Sequence, residues 1–544
     1  MSVVASLSAT GLASAQSATV TLGSQKQSIR GFGGIAHAAW VGDLTAAERT
    51  LAFGSGAGQL GFSVLRIPVT DGNPDSVNVA TAKAALAAGA IVFASPWNAA
   101  TTYTSAQFAS YATHLNGFVS YMKNQGVDLY AISVQNEPDY GAEAGWGSWS
   151  ASACHDFVAN YGASITTRLI SCESFNYTKS YYDPILNDSA ALANVDIFGT
   201  HLYGTAVANY AYPLFDSKGA GKERWMTEHY TDSTTDGNSW PNALGVASEL
   251  HNAMVTGQFN AYVWWTIKRS YGPINNGAVT KRGFCMGHWS KFVRPGFYRV
   301  DATPSPATGL SLSAYKGDSS LVLVVVNTDS SAKTLSISIP GSAIGSFTKY
   351  TTSASKSLAN DGMVAASNGS LSVSLDASSV TSLVGSGNTG GGGAGGSGGM
   401  AGASGSGGAG GMAGMGGAGG AGPSAGGAGS SGASATAGAG TVAGSASGGA
   451  TASSAGSGTS AGGVVSAGGP GNQAGGPSGM AGSAVAVSGS ASTSAGNGGA
   501  TDGGGETEPG GCSCRAAGHS RSPLSAVPLL AALSWLRRRR RVYD

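Results

Sequence analysis

Two glutamates stand where the chain could do chemistry. Glu137 lies in Ser133-Val134-Gln135-Asn136-Glu137-Pro138-Asp139 and Glu228 in Trp225-Met226-Thr227-Glu228-His229-Tyr230. Each closes a short apolar run and sits among amide or aromatic residues. Such runs read as buried strands, and in an α/β barrel function collects at the C-terminal ends of the strands. The two are 91 residues apart, or three repeats of about 30, so both point into the same barrel mouth from opposing sides. A carboxylate pair about 5–5.5 Å apart suits retaining glycoside hydrolysis, one member acting as acid/base and the other as nucleophile. A lone strand-end Glu is often a helix cap or a rim residue; two in such company argue against coincidence.

A barrel of eight βα units would position them. Strands are expected near Gly31–Gly34, Ser63–Val69, Ala90–Ser95, Leu129–Gln135, Arg168–Glu173, Asp196–Tyr203, Arg224–Tyr230 and Ala261–Ile267, with starts 27 to 39 residues apart. About 250 residues over eight units gives a similar repeat. Helical stretches such as Phe108–Asn124 and Asn242–Val255 fall between them. After Tyr298 the period changes: Leu321–Thr328 (LVLVVVNT), Thr334–Ile339 and Leu371–Leu375 alternate or run apolar between Gly, Ser and Asn turns, which predicts a small β-sandwich. Residues 18–30 (with ATVTL) are also strand-like and could pair into that sandwich.

Composition separates a foldable body from a tether. Of the 125 residues from Gly387 to Gly511, 50 are glycine. No Asp, Glu, Lys or Arg occurs between Ala377 and Thr501, and no aromatic residue between Thr351 and Ser534. A segment with nothing large to bury cannot offset the entropy of ordering. The expected class is therefore α/β: a (β/α)8 TIM barrel with an attached β-sandwich side domain, then a disordered Gly/Ala/Ser-rich tether. The divisions are 1–15, 16–300 for the barrel, 301–386 for the sandwich, 387–511 for the linker and 512–544 for the tail. Net charge is +1 overall; seven Arg against four acids from Asp502 onward leave −2 for the rest. A body near neutrality lacks a nucleic-acid footprint and suits an uncharged polymer.

Both ends read as export features. Residues 1–15, MSVVASLSATGLASA, are apolar and small, and Ala13-Ser14-Ala15 fits a signal-peptidase site, although the positively charged start is missing. The alternative is a ragged N-terminus. At the other end Cys512-Ser513-Cys514-Arg515 precedes an apolar run, Pro523 to Leu536, and then Arg537 to Arg541. Fourteen residues with two prolines are short of the roughly 20 a span needs. The order resembles the C-terminal sorting tails of myxobacterial surface proteins, which implies attachment at the cell surface through a cysteine. A basic tail touching anionic lipid is the alternative. Of the remaining cysteines, Cys154 and Cys172 fall on the mouth side, which leaves a disulfide between them open.

The runs GFGGIAHAAW (31–40), LRIPV (65–69), FASPWN (93–98), SVQNEPDY (133–140), FGTHLYGT (198–205), WMTEHY (225–230), YVWW (262–265) and KRG-x7-KFVRPGFYRVDAT (281–303) resemble family 30 glycoside hydrolases, most closely the bacterial glucuronoxylanase subgroup. The resemblance covers about residues 20–385. It implies a secreted, retaining endo-β-1,4-xylanase acting on glucuronoxylan where a glucuronic acid branch marks the chain, with no metal or cofactor and with a monomer expected. Carried over, Glu137 is the acid/base and Glu228 the nucleophile. Asn136 would hydrogen-bond the sugar 2-hydroxyl, and Arg66 would hold Glu228 ionised. Trp97 and Trp265 would wall the sugar site. His201 and Tyr203 would bond sugar or catalytic carboxylate. Arg269 would clamp the branch carboxylate with its planar fork, and Tyr230, Ser233 and Tyr271 match residues that contact the branch.

The chain departs from that pattern in three places. Thr266 stands where close relatives usually carry Tyr, Thr70–Val77 lacks an expected aromatic residue, and the loop after Trp97 is short. These departures leave open a family 30 hydrolase of relaxed specificity, on unbranched xylan or another β-glycan. A surface carbohydrate-binding protein with a dead barrel is the reading from another class, and Asn136, Glu137 and Glu228 argue against it.

Overall fold

The computed structural model describes residues 16–70, 77–231 and 236–387. Eight parallel strands close into a barrel in chain order: β2 (Gly31–Ile35), β3 (Val64–Val69), β4 (Ile91–Pro96), β5 (Ala131–Ser133), β6 (Arg168–Ile170), β7 (Ile197–His201), β8 (Glu223–His229) and β9 (Ala261–Trp264), with β9 pairing back to β2. They are nearly all buried, and Val64–Val69 is buried at every position, because helices cover the outer face of a parallel sheet. Gly33 shows how tight the closure is. A Cβ there would lie 1.7 Å from the Val64 carbonyl oxygen of the neighbouring strand, so only glycine fits.

The helix Phe108–Asn124 has the span its sequence predicts; Phe108, Tyr111, Ala112, Leu115, Phe118 and Met122 form its buried stripe. The helix Ala151–Tyr161 starts on Ser150, whose hydroxyl accepts from the Ala153 N–H. Its Cys154 is bonded to Cys172, just past β6. Among the described residues no helix is long and apolar enough to cross a membrane.

The barrel draws its strands from a narrower span than 16–300. Residues 16–28 form β1 (Gln16–Ser28), which alternates buried and exposed positions and belongs to a second sheet. There it pairs antiparallel with β12 (Tyr298–Ala302) and parallel with β15 (Lys333–Ser338). Between β9 and β12 in sequence lie the hairpin β10 (Ile274–Asn275) and β11 (Ala278–Val279) and the helix Lys281–Ser290. The second sheet is completed by β13 (Leu310–Lys316), β14 (Ser320–Asn327), β16 (Ser346–Thr352), β17 (Ala359–Ser367), β18 (Ser370–Leu375) and β19 (Ser379–Ser386). Its nine strands run β1-β12-β13-β14-β19-β16-β17-β18-β15 and close on β1, so the faces of the expected sandwich are joined at both edges.

One strand explains how the two sheets share a core. In β14, Leu321, Leu323 and Val325 face the interior of the second sheet, while Val322, Val324 and Val326 join the barrel's core cluster. Both faces are buried, hence a continuous apolar run rather than alternation. The helix Lys281–Ser290 reinforces the joint: His288 lies 2.7 Å from the Ser382 hydroxyl and 2.9 Å from that of Thr352, and Trp289 Nε1 donates to the Tyr315 hydroxyl at 2.8 Å. Burial pushes His288 down to about 3, so it bridges the hydroxyls as a neutral ring.

The Cys154–Cys172 bond closes a loop with a sequence separation of 18. Replacing both cysteines by serine should lower the unfolding free energy by about 3 kcal/mol, measured as the difference in urea denaturation between the oxidised protein and the double variant.

Candidate active site

The strand pairing continues beyond the regular strands and fixes the mouth. Asn136 and Glu173 form a parallel bridge, as do Ser174 and Thr200. The Asn136 N–H donates to Pro96 O at 2.9 Å, Glu137 N–H to Glu173 O at 2.8 Å, and Glu173 N–H to Gln135 O at 2.8 Å. These bonds account for the longer strands expected over 129–135 and 168–173. Glu137 takes a φ of +43°, a region that non-glycine residues seldom occupy and that marks strain held at functional sites. Register shifts at Thr200/His201 and Met226/His229 re-aim the ends of β7 and β8, and His201 is paired with Glu228.

A fully buried guanidinium organises the floor. Arg66 donates through Nε to Ser95 Oγ at 2.9 Å, through Nη1 to Glu228 Oε2 at 2.6 Å and Thr227 O at 3.4 Å, and through Nη2 to Asn136 Oδ1 at 2.6 Å. Its Nη2 also lies 3.2 Å from Glu173 Oε2. An arginine has five N–H donors; four hydrogen bonds run from Arg66 to protein acceptors and its Nη2 also forms the ion pair with Glu173, so Arg66 ties the carboxylates of the floor together. Tyr203 donates to Glu228 Oε1 at 2.8 Å. Both oxygens of Glu228 thus accept, one of them from a cation.

His201 lies between three acids. Its Nδ1 is 3.0 Å from Glu137 Oε1, and its Nε2 is 3.6 Å from Glu173 Oε2 and 4.0 Å from Glu228 Oε2. Burial opposes a charge on the ring, but the carboxylates of Glu228, Glu137 and Glu173 outweigh it and raise His201 to about 9. Burial likewise pushes the Glu173 carboxyl up, yet Arg66 and His201 hold it down at about 2. One oxygen of Glu137, one of Glu228 and a ring nitrogen of His201 lie within 4.8 Å of one another. Glu, His and Glu could in principle hold a metal, but Arg66 already pairs with Glu228 Oε2 at 2.6 Å, a contact that a metal there would compete with.

Aromatic rings wall one side. Trp97 and Trp265 are buried with centroids 6.3 Å apart, and the Arg66 guanidinium lies 4.7 Å from the Trp97 ring centroid. Trp40 stands 5.7 Å from Trp97 and 5.6 Å from Trp265, stacked on His37 at 3.7 Å. It is 37% exposed and so forms the outer edge of the wall. Burial, with Arg66 and Arg269 nearby, lowers His37 to about 3 and leaves it a neutral ring.

The residues that the resemblance assigns to the branch lie beyond β8 and β9. Tyr230 and Tyr271 are buried with ring centroids 5.3 Å apart, and Tyr230 lies 5.5 Å from Tyr203. The Arg269 guanidinium is 5.9 Å from the Tyr271 centroid. Arg269 is half-buried, its Nε has no acceptor, and no carboxylate among the described residues lies within ion-pair distance of it. Ser233 lies outside the described residues, as do most of Thr70–Val77 and both termini. Thr266 is fully buried with its hydroxyl donating to Lys268 O at 3.0 Å.

Comparison with known proteins bears on this geometry. No family model matches the chain. It is 47% identical over 403 residues to glucuronoxylanase XynC of Bacillus subtilis (strain 168), covering 71% of this chain and 95% of that protein. A solved GH30 endoxylanase from Clostridium papyrosolvens C71 is 40% identical with a TM-score of 0.64, covering 68% of this chain and all (100%) of that one. The chain belongs to glycoside hydrolase family 30. A family 30 subfamily 8 xylanase, Xyn30A from Clostridium acetobutylicum, is 32% identical with a TM-score of 0.61 over the same 68% of this chain.

In this family 30 chain the structure brings together Glu137, Glu228, Asn136, Arg66, His201 and Tyr203 at one mouth, with Trp97 and Trp265 beside them. Sequence reasoning passed over Glu173, although it too is an acid ending an apolar run, in Ser171-Cys172-Glu173-Ser174. It also passed over His37 and Trp40, which lie inside a quoted motif but carry no spacing signal of their own. The ion cluster has a pH signature. His201, raised to about 9, contributes stability that is complete below its unfolded value near 6.5 and is lost as pH rises through about 9. The difference in unfolding free energy between wild type and His201→Asn should therefore shrink between pH 7 and 10, by on the order of 2–3 kcal/mol. Denaturation at a series of pH values would show it.

Proposed function

We propose that this family 30 protein is a retaining endo-β-1,4-xylanase that hydrolyses glucuronoxylan, with the cut positioned by a (methyl)glucuronic acid branch. The observation that carries the reading is the close pair of Glu137 and Glu228, one oxygen of each lying within 4.8 Å of the other. So close a pair suits direct attack with retention better than the wider spacing of inverting enzymes. Glu228, clamped by Arg66 and Tyr203, attacks the anomeric carbon. Glu137 protonates the leaving oxygen and then deprotonates the water that releases the sugar. The Asn136 side-chain nitrogen is buried with no acceptor in the protein, which suits a donor waiting for the sugar 2-hydroxyl. Apolar sugar faces fit against Trp97 and Trp265.

Arg269 supports the branch requirement. A guanidinium with no carboxylate in ion-pair range among the described residues, next to Tyr271, suits the uronate of a branch. The departure at Thr266 and the short helix Ala99–Thr102 directly after Trp97 favour the second reading, cleavage of unbranched xylan as well. Export rests on residues 1–15 and surface retention on the tail from Cys512.

Digesting glucuronoxylan and unbranched xylan in parallel, with mass spectrometry of the products, tests the specificity. Products each carrying one uronic acid, with little cleavage of the unbranched polymer, are expected, and equal cleavage would point to the relaxed reading. Arg269→Ala should lower kcat/KM on glucuronoxylan about 100-fold, a loss of about 2.7 kcal/mol for a charge-assisted contact, and leave any turnover of unbranched xylan unchanged. Glu228→Gln and Glu137→Gln should each remove at least about 1,000-fold of kcat on glucuronoxylan; a variant keeping wild-type turnover would refute the role given to that residue.

A further inference from the structure

The mouth holds a third buried carboxylate that the two-carboxylate mechanism does not use. Glu173, Glu137 and Arg66 are fully buried, as is His201, and Glu228 is 1% exposed. Uncompensated charge in such a place is costly, so the sum of the cluster should lie near zero. Arg66 and His201 supply two positive charges. Three carboxylates facing them cannot all ionise without leaving one negative charge in excess.

The contacts indicate which acid keeps its proton. Glu228 has Arg66 at 2.6 Å and the Tyr203 hydroxyl at 2.8 Å. Glu173 has Arg66 at 3.2 Å and His201 at 3.6 Å. Glu137 meets His201 from its other nitrogen, and two residues on lies Asp139, an acid held by Ser174 Oγ at 2.6 Å and the Phe175 N–H at 2.8 Å. Asp139 adds negative potential at Glu137. From the other sides come Tyr182, whose hydroxyl donates to Gly199 O at 2.9 Å, and the neutral His37 and the cation Arg269 beyond Trp97 and Trp265. We propose that Glu173 is a positioning residue whose fixed negative charge neutralises one of the two buried cations and thereby keeps the acid proton on Glu137. This rests on the assignment of Glu137 as the acid/base.

The balance also holds through the reaction. In the free enzyme Glu173 and Glu228 are ionised against Arg66 and His201, and Glu137 is protonated. When the glycosidic C–O bond breaks, the Glu137 proton goes to the leaving oxygen and a bond forms between the anomeric carbon and a Glu228 oxygen. Glu228 is then a neutral ester and Glu137 is the second anion beside Glu173. The cluster sums to zero in both states, and the acid becomes a base because the charge it answers to has moved. Without Glu173 the free enzyme would carry one cation too many, and Glu137 would give up its proton too readily.

Glu173→Gln keeps the shape and removes the charge. The alkaline limb of kcat/KM on glucuronoxylan should move at least about one pH unit lower, costing about tenfold at neutral pH and little at the acid end. Glu173→Asp keeps the charge, and its limb should lie within a few tenths of a unit of wild type. A uniform loss with the limb unmoved, or an equal shift in both variants, would overturn the proposal. Carbon NMR of wild-type protein labelled at the glutamate carboxyl provides a check free of any substitution. Glu173 should be ionised across pH 4–8 while Glu137 titrates later, and a protonated Glu173 at neutral pH would overturn the idea as well. If Glu137→Gln instead kept full activity, the assignment of the acid/base would fail, an outcome distinct from an unmoved profile.

Discussion

The site depends on a single buried cation. Arg66 sits on β3, faces into the barrel, and ties together residues from four other places in the fold: Ser95 on β4, Asn136 past β5, Glu173 past β6 and Glu228 on β8. A guanidinium is suited to this because it cannot lose its charge and its donors point in fixed directions. A lysine would offer a movable point charge and could not hold an amide and two carboxylates in one plane. The group that orients Asn136 is thereby the one that also pairs with Glu228.

How much of this the sequence discloses follows from what each segment buries. The helix Phe108–Asn124 is legible because its stripe is one-sided and regular. The eight barrel strands are legible by their spacing, though the regular portions are shorter than their apolar runs. At the mouth the pairing breaks into single bridges such as Asn136–Glu173, where backbone geometry serves side-chain placement and not the ladder. The closure of the second sheet is not legible. It depends on β1 lying parallel to β15, more than 300 residues away in sequence, which no local pattern encodes. Strand β14 reads as apolar throughout, and only the packing shows that its two faces belong to two different cores.

The site itself was half legible. Glu137 and Glu228 declare themselves as acids at strand ends, but Glu173 satisfies the same rule and was passed over because a two-carboxylate mechanism has no place for a third. His201 shows a different limit. The sequence supplies a histidine on a strand; only the distances to Glu137, Glu173 and Glu228 show the three acids that favour its charged form. Trp40 lies on a four-residue helix, Ala38–Val41, with no buried residue of its own. Its place at the edge of the aromatic wall comes from stacking on His37, a tertiary contact without periodicity.

Chemistry and recognition are held by different means, and this bears on how the specificity of such a chain can change. Glu137 and Glu228 are fixed by strand register and by buried ionic contacts with Arg66 and His201, so a change to any of these disturbs the rest. Arg269 and Tyr271 sit on the loop after β9, anchored from outside the barrel. The Arg269 N–H donates to Ile274 O at 3.1 Å, Thr280 Oγ1 to Gly272 O at 2.7 Å, and Arg282 to Tyr271 O at 2.5 Å. Gly272 has no room for a side chain, since a Cβ would lie 2.7 Å from Thr266 O. The loop's course is thus set by backbone contacts with β10 and with the start of the helix Lys281–Ser290, and not by the side chains that face the ligand. The Thr266 hydroxyl adds one further tie to the loop's backbone, donating to Lys268 O at 3.0 Å. The physical basis is that one group of residues is held by mutual charge and the other by the backbone, so the branch pocket can vary while the hydrolytic centre stays intact.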